Sequence, residues 1–191
     1  MPRYSPSYIL AARAMCSGGV IAYPTEGVWG LGCDPLDGRA VSKILALKSR
    51  PEHKGLILLA PSIDFFGPYF AELDSKKLKI IEESRGKGIT WLISNSGSAP
   101  EWITGGQSTL AIRVSDHPRV VGICEAFGGA IVSTSANPAG LRAATNLLTV
   151  QRYFGNLIDA IVPGATGGQN GATEIRDLQS GRTIRPKKQV Q

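Results

Sequence analysis

Two histidines and three cysteines leave this 191-residue chain short of the ligands most zinc sites need. His53 and His117 stand far apart, so no H-E-x-x-H exists. Cys16, Cys33 and Cys124 are odd in number and form no C-x-x-C pair. That argues against a disulfide framework or a zinc site, and for a reducing cytoplasm. Each thiol reads as core filling rather than as a nucleophile. No apolar run approaches the ~20 residues that span a bilayer. Arg13 interrupts the apolar stretch nearest the N-terminus, so neither a membrane span nor a signal peptide is expected. Aromatic residues make up 7% and mostly sit among apolar neighbours, which leaves little surface for stacking bases. The common nucleotide and hydrolase signatures are missing as well. "RGKGIT" has Gly88 where a P-loop needs Ser or Thr, no G-x-G-x-x-G opens a helix after a strand, and no G-x-S-x-G elbow exists.

Positive charge is what the chain has in excess. Its net charge is +6 and its pI about 9.4, which suits an anionic partner such as nucleotide phosphates, nucleic acid or an acidic surface, or serves solubility alone. Hydrophobic residues make up 42%, enough for a core, and 23 glycines with 12 prolines predict many tight turns. The length fits one domain over residues 1–191, with 185–191 as a frayed tail.

Helical spacing and caps predict helices over 7–17, 39–48, 74–84, 117–127 and 146–154. Strands are predicted at "VIAYP", "LILLA", "ITWLIS", "LAIRV" and "AIVSTS", with shorter ones in "DAIVPG", "TEIRD" and "RTIR". Residues 25–38 read as a turn-rich segment and 95–108 as a loop. The alternation of strands and helices predicts an α/β fold with a twisted, mixed, largely parallel sheet flanked by helices.

Ligands of open α/β sheets bind beyond strand ends, so polar residues there carry the functional signal. "GGAIVSTSANPAG" ends a core strand in Ser133, Thr134, Ser135 and Asn137, which either stop the strand or floor a polar site. Arg113 sits among Leu110, Ala111, Ile112 and Val114. It must face a carboxylate, a phosphate or water, or else lie outward on a one-sided strand; Thr109 begins the same strand. Lys48 and Arg50, at i and i+2, can grip phosphates in a common cleft, or merely offset a helix C-terminal dipole. Thr25 and Glu26 could cap a short helix, and Thr173 follows a glycine-rich turn that could be a simple loop. Hydroxyls, amides and cations without a strong nucleophile or fixed metal suit the binding of a polyanion and a small zwitterion, with catalysis by positioning and charge stabilisation.

Five stretches together, "IAYPTEGVWGLGCDP", "LKSRPEHKGLILL", "TGGQSTLAIRVSDHP", "VSTSANPAG" and "TEIRD", give the chain a close resemblance to the YrdC-like threonylcarbamoyl-AMP synthase family, the short bacterial form. The resemblance covers about the whole chain and implies a YrdC-like fold. It implies that L-threonine and bicarbonate form a carbamate, that the carbamate attacks the α-phosphate of ATP, and that pyrophosphate leaves with Mg²⁺ assistance. The product would pass to partner proteins that modify adenosine in tRNA. By resemblance, Lys48 and Arg50 hold phosphates, and Thr109, Ser135 and Asn137 contact the nucleotide. Lys48, Arg50, Ser135 and Asn137 form the catalytic set. Thr25, Arg113 and Thr173 hold threonine, with Arg113 on its carboxylate. Ser133 contacts nucleotide or threonine, and Arg185 lies near the nucleotide. Mg²⁺ is expected to arrive with ATP rather than at a protein motif.

The family usually has Pro-Gly-Pro-x-Thr before the middle strand; here the residues are Gly86-Lys87-Gly88-Ile89-Thr90. The expectation is a turn that is mobile when empty and closes Lys87 on the nucleotide, against a plain surface turn. Two rival readings are a non-catalytic RNA-binding module, with weak, salt-dependent RNA binding, and a carbamoyl-transfer domain of a larger maturation protein. An RNA binder has no need of a carboxylate-holding arginine within a strand, and the absence of a further domain argues against the second.

Overall fold

The computed structural model describes residues 4–70, 73–169, 171 and 173–187. Among these residues nine strands join in one sheet. They are β1 (Ile21–Pro24), β2 (Trp29–Gly32), β3 (Ile57–Ala60), β4 (Ile89–Ser94), β5 (Thr109–Val114), β6 (Ile131–Ser135), β7 (Ala160–Ile161), β8 (Glu174–Asp177) and β9 (Thr183–Arg185). Their spatial order is β7-β1-β2-β6-β3-β5-β4-β8-β9. The helices are α1 (Pro6–Cys16), α2 (Gly38–Lys48), α3 (Ser75–Glu83), α4 (Glu101–Thr104), α5 (Pro118–Phe127) and α6 (Leu147–Phe154).

The mixed α/β sheet expected from the sequence is present, but its parallel share is smaller than alternation implied. Parallel pairing joins β1 to β7, β3 to β5 and β4 to β8. The other five pairings are antiparallel. The cause is local. The segment expected to be all turn contains β2, and the short Thr25–Val28 turn folds β2 back on β1 as a hairpin, which admits only antiparallel pairing. The Trp29–Gly32 stretch hid its strand because two of its four residues are glycine. Short α4 likewise lies inside the expected loop.

Caps explain where the helices begin. Asp37 accepts from the N–H groups of Arg39 and Ala40 to open α2, and Pro118 follows the His117 cap of α5. Period-two alternation then sorts each strand between two faces. Leu31, Leu58, Ile112 and Val132 point to one face, where Val41, Ile44 and Leu45 of α2 complete the main core. Ile21, Tyr23, Leu59 and Ile131 point to the other and meet Ala11 and Met15 of α1 and Val120, Ile123 and Cys124 of α5. Cys33 and Cys124 are buried, and burial pushes both thiols up, as core filling requires, whereas Cys16, at the exposed end of α1, does not fill the core.

On this second face α1 and α5 cover only part of the sheet. Leu59 and Ile131 lie under the helices, whereas Ile57, Ser133 and Ser135, farther along β3 and β6 on the same face, line an open cleft. The turn from apolar to polar in "AIVSTS" marks that edge.

Candidate active site

The cleft is a shallow cavity of about 120 Å³ that opens to solvent, lined by hydroxyls, glycines and cations. Seven residues expected at the site line it: Thr25, Arg50, Arg113, Ser133, Ser135, Thr173 and Arg185. They come from strands β5, β6 and β9, the turn after β1, the residue before β8 and the segment after α2, so no local motif could have announced them as one site.

Arg113 lies on the floor. Register places it opposite Leu59, on the face that carries Ser133 and Ser135. Its side chain is 9% exposed and meets the Glu26 carboxylate at 3.6 Å. The Ser115 hydroxyl donates to the other Glu26 oxygen and itself accepts the His117 N–H at 3.2 Å. Burial alone would raise the Glu26 carboxyl, but Arg113 and Ser115 outweigh it and hold the group below the usual carboxylate range. The Arg113 Nε is buried without a hydrogen-bond partner. Sequence reasoning placed Glu26 among the polar residues at strand ends, with a helix cap as the alternative. It is the turn residue of a hairpin that points into the sheet, and the charge complementarity with Arg113 exists only in three dimensions.

Arg50 and Arg185 form a cationic wall. Arg50 donates to the carbonyls of Gly55 at 2.9 Å and Lys54 at 3.2 Å, and Arg185 to that of Thr173 at 2.9 Å. Burial lowers both guanidinium pKa values, and the positive charge of Arg185 lowers Arg50 further. Cations crowded together in this way gain from an anion between them. Arg185 closes β9 rather than opening a frayed tail, and Lys187 also lines the cleft; residues 188–191 lie outside the described residues.

Three expected residues do not line the cleft. Lys48 is 4% exposed and its ammonium donates to the carbonyl oxygens of Ser135 and, at 2.8 Å, Asn137, with the Asn137 Oδ1 at 3.4 Å. The Lys48 carbonyl accepts the Ala139 N–H at 2.8 Å. Lys48 therefore fastens the turn after β6 in place. Burial and then the charge of Arg50 push its pKa down to about 8. Ser49 between Lys48 and Arg50 adopts φ 48°, a left-handed C-cap, and the two side chains donate to different carbonyls while their charges still interact. Asn137 accepts the Ser135 hydroxyl at 2.6 Å and donates to the Leu141 carbonyl at 2.8 Å, so it braces the same turn. Thr109 begins β5 on the Arg113 face, opposite Ser94, but outside the cleft lining.

A strap over residues 163–169 borders the cleft. The Gly167 and Gln169 N–H groups bond the Thr25 and Glu26 carbonyls at 3.0 and 2.8 Å. The Gln169 amide donates to the Gly86 carbonyl at 2.7 Å, and Lys187 donates to its oxygen at 3.4 Å. Gly86 and Gly88 have φ of 71° and 69°, which proline cannot adopt, so the family's Pro-Gly-Pro turn has no counterpart of the same shape here. A Cβ on Gly88 would stand 2.6 Å from the Gln169 side-chain oxygen. Lys87 is exposed and outside the cleft lining, and the turn offers its Gly86 carbonyl to Gln169. Thr25 spends its hydroxyl on the Val28 carbonyl at 2.8 Å, and Thr173 shares one with Thr90 at 2.9 Å.

Among the described residues no group of three or more His, Cys, Asp or Glu sits together, and Glu26, the carboxylate of the cleft, is engaged by Ser115 and Arg113. No helix among them is long and apolar enough to cross a membrane.

Comparison with known proteins agrees with this architecture. Threonylcarbamoyl-AMP synthase of Cellvibrio japonicus is 48% identical over 95% of this chain and 96% of that protein. The protein of that name from Halorhodospira halophila is 50% identical over 92% of each. The crystal structure of P. abyssi Sua5 complexed with L-threonine matches with a TM-score of 0.87 at 27% identity, over 94% of this chain; this chain spans 54% of that one. The family model Sua5/YciO/YrdC, described as telomere recombination, matches residues 13–186. The chain belongs to the Sua5/YciO/YrdC family.

Proposed function

We propose that this chain is an L-threonylcarbamoyladenylate synthase, a nucleotidyltransferase that supplies threonylcarbamoyl-AMP for tRNA modification. The threonine amine forms a bond to the bicarbonate carbon, with loss of water, and the resulting carbamate oxygen attacks the α-phosphorus of ATP. The bond to the β-phosphate breaks and pyrophosphate leaves. The observation that carries the reading is one cleft with a guanidinium at its floor and a separate cationic wall: Arg113 suits a carboxylate, and Arg50, Arg185 and Lys187 suit phosphates. The two relatives named threonylcarbamoyl-AMP synthase and the threonine complex of P. abyssi Sua5 support the same assignment.

In this reading Thr25, Ser133 and Thr173 surround threonine beside Arg113. Ser135 meets the nucleotide, and Lys48 and Asn137 act through the turn that carries Ser135. Both nucleophiles belong to substrates, so the protein supplies alignment and charge, and needs no covalent intermediate. Magnesium travels with the ATP phosphates and lowers their charge during transfer. Free cysteines and the absence of a long apolar helix among the described residues support a cytoplasmic location. Product handover to threonylcarbamoyl-transfer proteins completes the proposed role. Trp29, the aromatic residue of the cleft lining, is 1% exposed and offers no face for stacking, which favours the enzyme over an RNA-binding module. Pyrophosphate release should require ATP, Mg²⁺, L-threonine and bicarbonate together; release that persists when threonine is withheld would overturn the assignment.

A further inference from the structure

Glu26 stands beside the residue assigned to the substrate carboxylate, and a carboxylate there is at first sight an obstacle. Its side chain is 7% exposed, its Oε1 is fixed by the Ser115 hydroxyl, and its Oε2 faces Arg113 at 3.6 Å without any hydrogen bond. On the guanidinium side the buried Nε is also unpartnered. The pair is thus ionic but unsaturated: one acceptor and one donor remain unpaired within a cleft both residues line. Buried polar atoms are seldom left so, and an ordered water, an ion or a ligand group can complete them; the Nε of Arg185 in the same cleft is in the same state. The backbone holds the arrangement from three sides. The Glu26 carbonyl takes the Gln169 N–H, Ser115 follows Arg113 by two residues on β5's continuation, and the His117 N–H anchors the Ser115 hydroxyl.

We propose that Glu26 is a specificity-determining residue that makes the Arg113 site select zwitterions over plain anions. Its charge cancels that of Arg113, so a ligand offering only a carboxylate gains little net attraction and is repelled by the second carboxylate. A ligand that offers a carboxylate and an adjacent amine satisfies both, the carboxylate at Arg113 and the N–H donors at Glu26. The same cancellation favours the Arg50–Arg185 wall for polyphosphate, because Glu26, the one carboxylate among the described lining residues, is paired with Arg113. This inference rests on the reading of Arg113 as the holder of the amino-acid carboxylate.

The test compares L-threonine with 3-hydroxybutanoate, its analogue without the amine, by calorimetry on the full chain. Wild type should prefer threonine. Glu26→Gln should narrow the preference at least tenfold, about the value of one charged hydrogen bond, by strengthening the analogue and weakening threonine, with ATP affinity within twofold. Glu26→Asp, which keeps the charge, should retain most of the preference. Ser115→Ala, which frees the carboxylate without removing it, should narrow it about threefold, and carries the test if Glu26→Gln does not fold. An unchanged preference in folded Glu26→Gln or, failing that, Ser115→Ala overturns the proposal. Arg113→Gln separates the underlying reading: loss of binding of both ligands supports it, whereas retained threonine binding overturns the reading itself.

Discussion

Replacing Lys48 by methionine tests whether this lysine grips phosphate or fastens the turn after β6. The side chain keeps its length and loses its charge. Hydrogen bonds from a charged donor contribute about 1.5–3 kcal/mol each, so the contacts to the Ser135 and Asn137 carbonyls supply about 3–6 kcal/mol. Against this stands the cost of a buried ammonium. Depression of the pKa from 10.5 to about 8, caused by burial and Arg50, corresponds to roughly 3 kcal/mol. The two nearly offset, and Lys48→Met should lower stability by no more than about 3 kcal/mol. Activity should suffer far more. Ser135 sits at the end of the loosened turn, and misplacement by an ångström can reduce a rate about a hundredfold. The variant should therefore melt within several degrees of wild type and show kcat/KM for ATP down by about that factor. The pH dependence adds a second reading. Folded Lys48 loses its proton near pH 8 and unfolded Lys48 near 10.5, so the unfolded chain binds more protons between these values. This group's contribution to stability therefore rises across that window. Activity should move the other way, falling as pH passes about 8, because the neutral amine has one donor fewer for the turn. Steady-state kinetics and thermal melts at pH 6.5–9.5 on both proteins would decide. Full activity in folded Lys48→Met, or the same pH profile in both proteins, would refute the fastening role.

Arg113→Lys should weaken threonine use by about 1–3 kcal/mol and ATP use by less, since an ammonium cannot offer a planar fork; equal KM values for threonine in variant and wild type would count against the assignment. Gly88→Ala should cost at least about 1 kcal/mol, because it needs φ near 69° and intrudes on Gln169; an unchanged melting temperature would show that the strap is not held there. Lys87→Ala, at an exposed position outside the cleft, should leave the KM for ATP within twofold; a larger rise would restore the lysine-closure idea. RNA binding, where measured, should be weak and fall steeply with salt, and adenylate formation without tRNA checks that catalysis does not depend on it.

The parts of the molecule legible in the sequence are those governed by local rules. Caps and periodicity located α2 and α5 within a residue or two, and the apolar-to-polar change in "AIVSTS" located the cleft floor. Arg113 stood out because a strand interior seldom buries a guanidinium. Other features depend on contacts between distant segments. Strand β2 is half glycine, and only its partners β1 and β6 make it a strand. Lys48 and Arg50 look alike in sequence, yet they flank one left-handed residue, Ser49, and donate to different carbonyls. Glu26 meets Ser115 across 89 positions, and Gln169 meets Gly86 across 83, so neither spacing carries a pattern. Lys187 lies within the segment taken for a tail, yet β9 brings it to the cleft.

The most direct measurement follows the carbon of bicarbonate. Incubation of the full chain with ¹³C-bicarbonate, L-threonine, ATP and Mg²⁺, followed by mass spectrometry, should yield an adenylate one mass unit heavier than the product of unlabelled bicarbonate. Its fragments should contain both threonine and AMP, and its amount should match the pyrophosphate released. Pyrophosphate released without a labelled threonine-containing adenylate, or an adenylate of threonine lacking the label, would contradict the account.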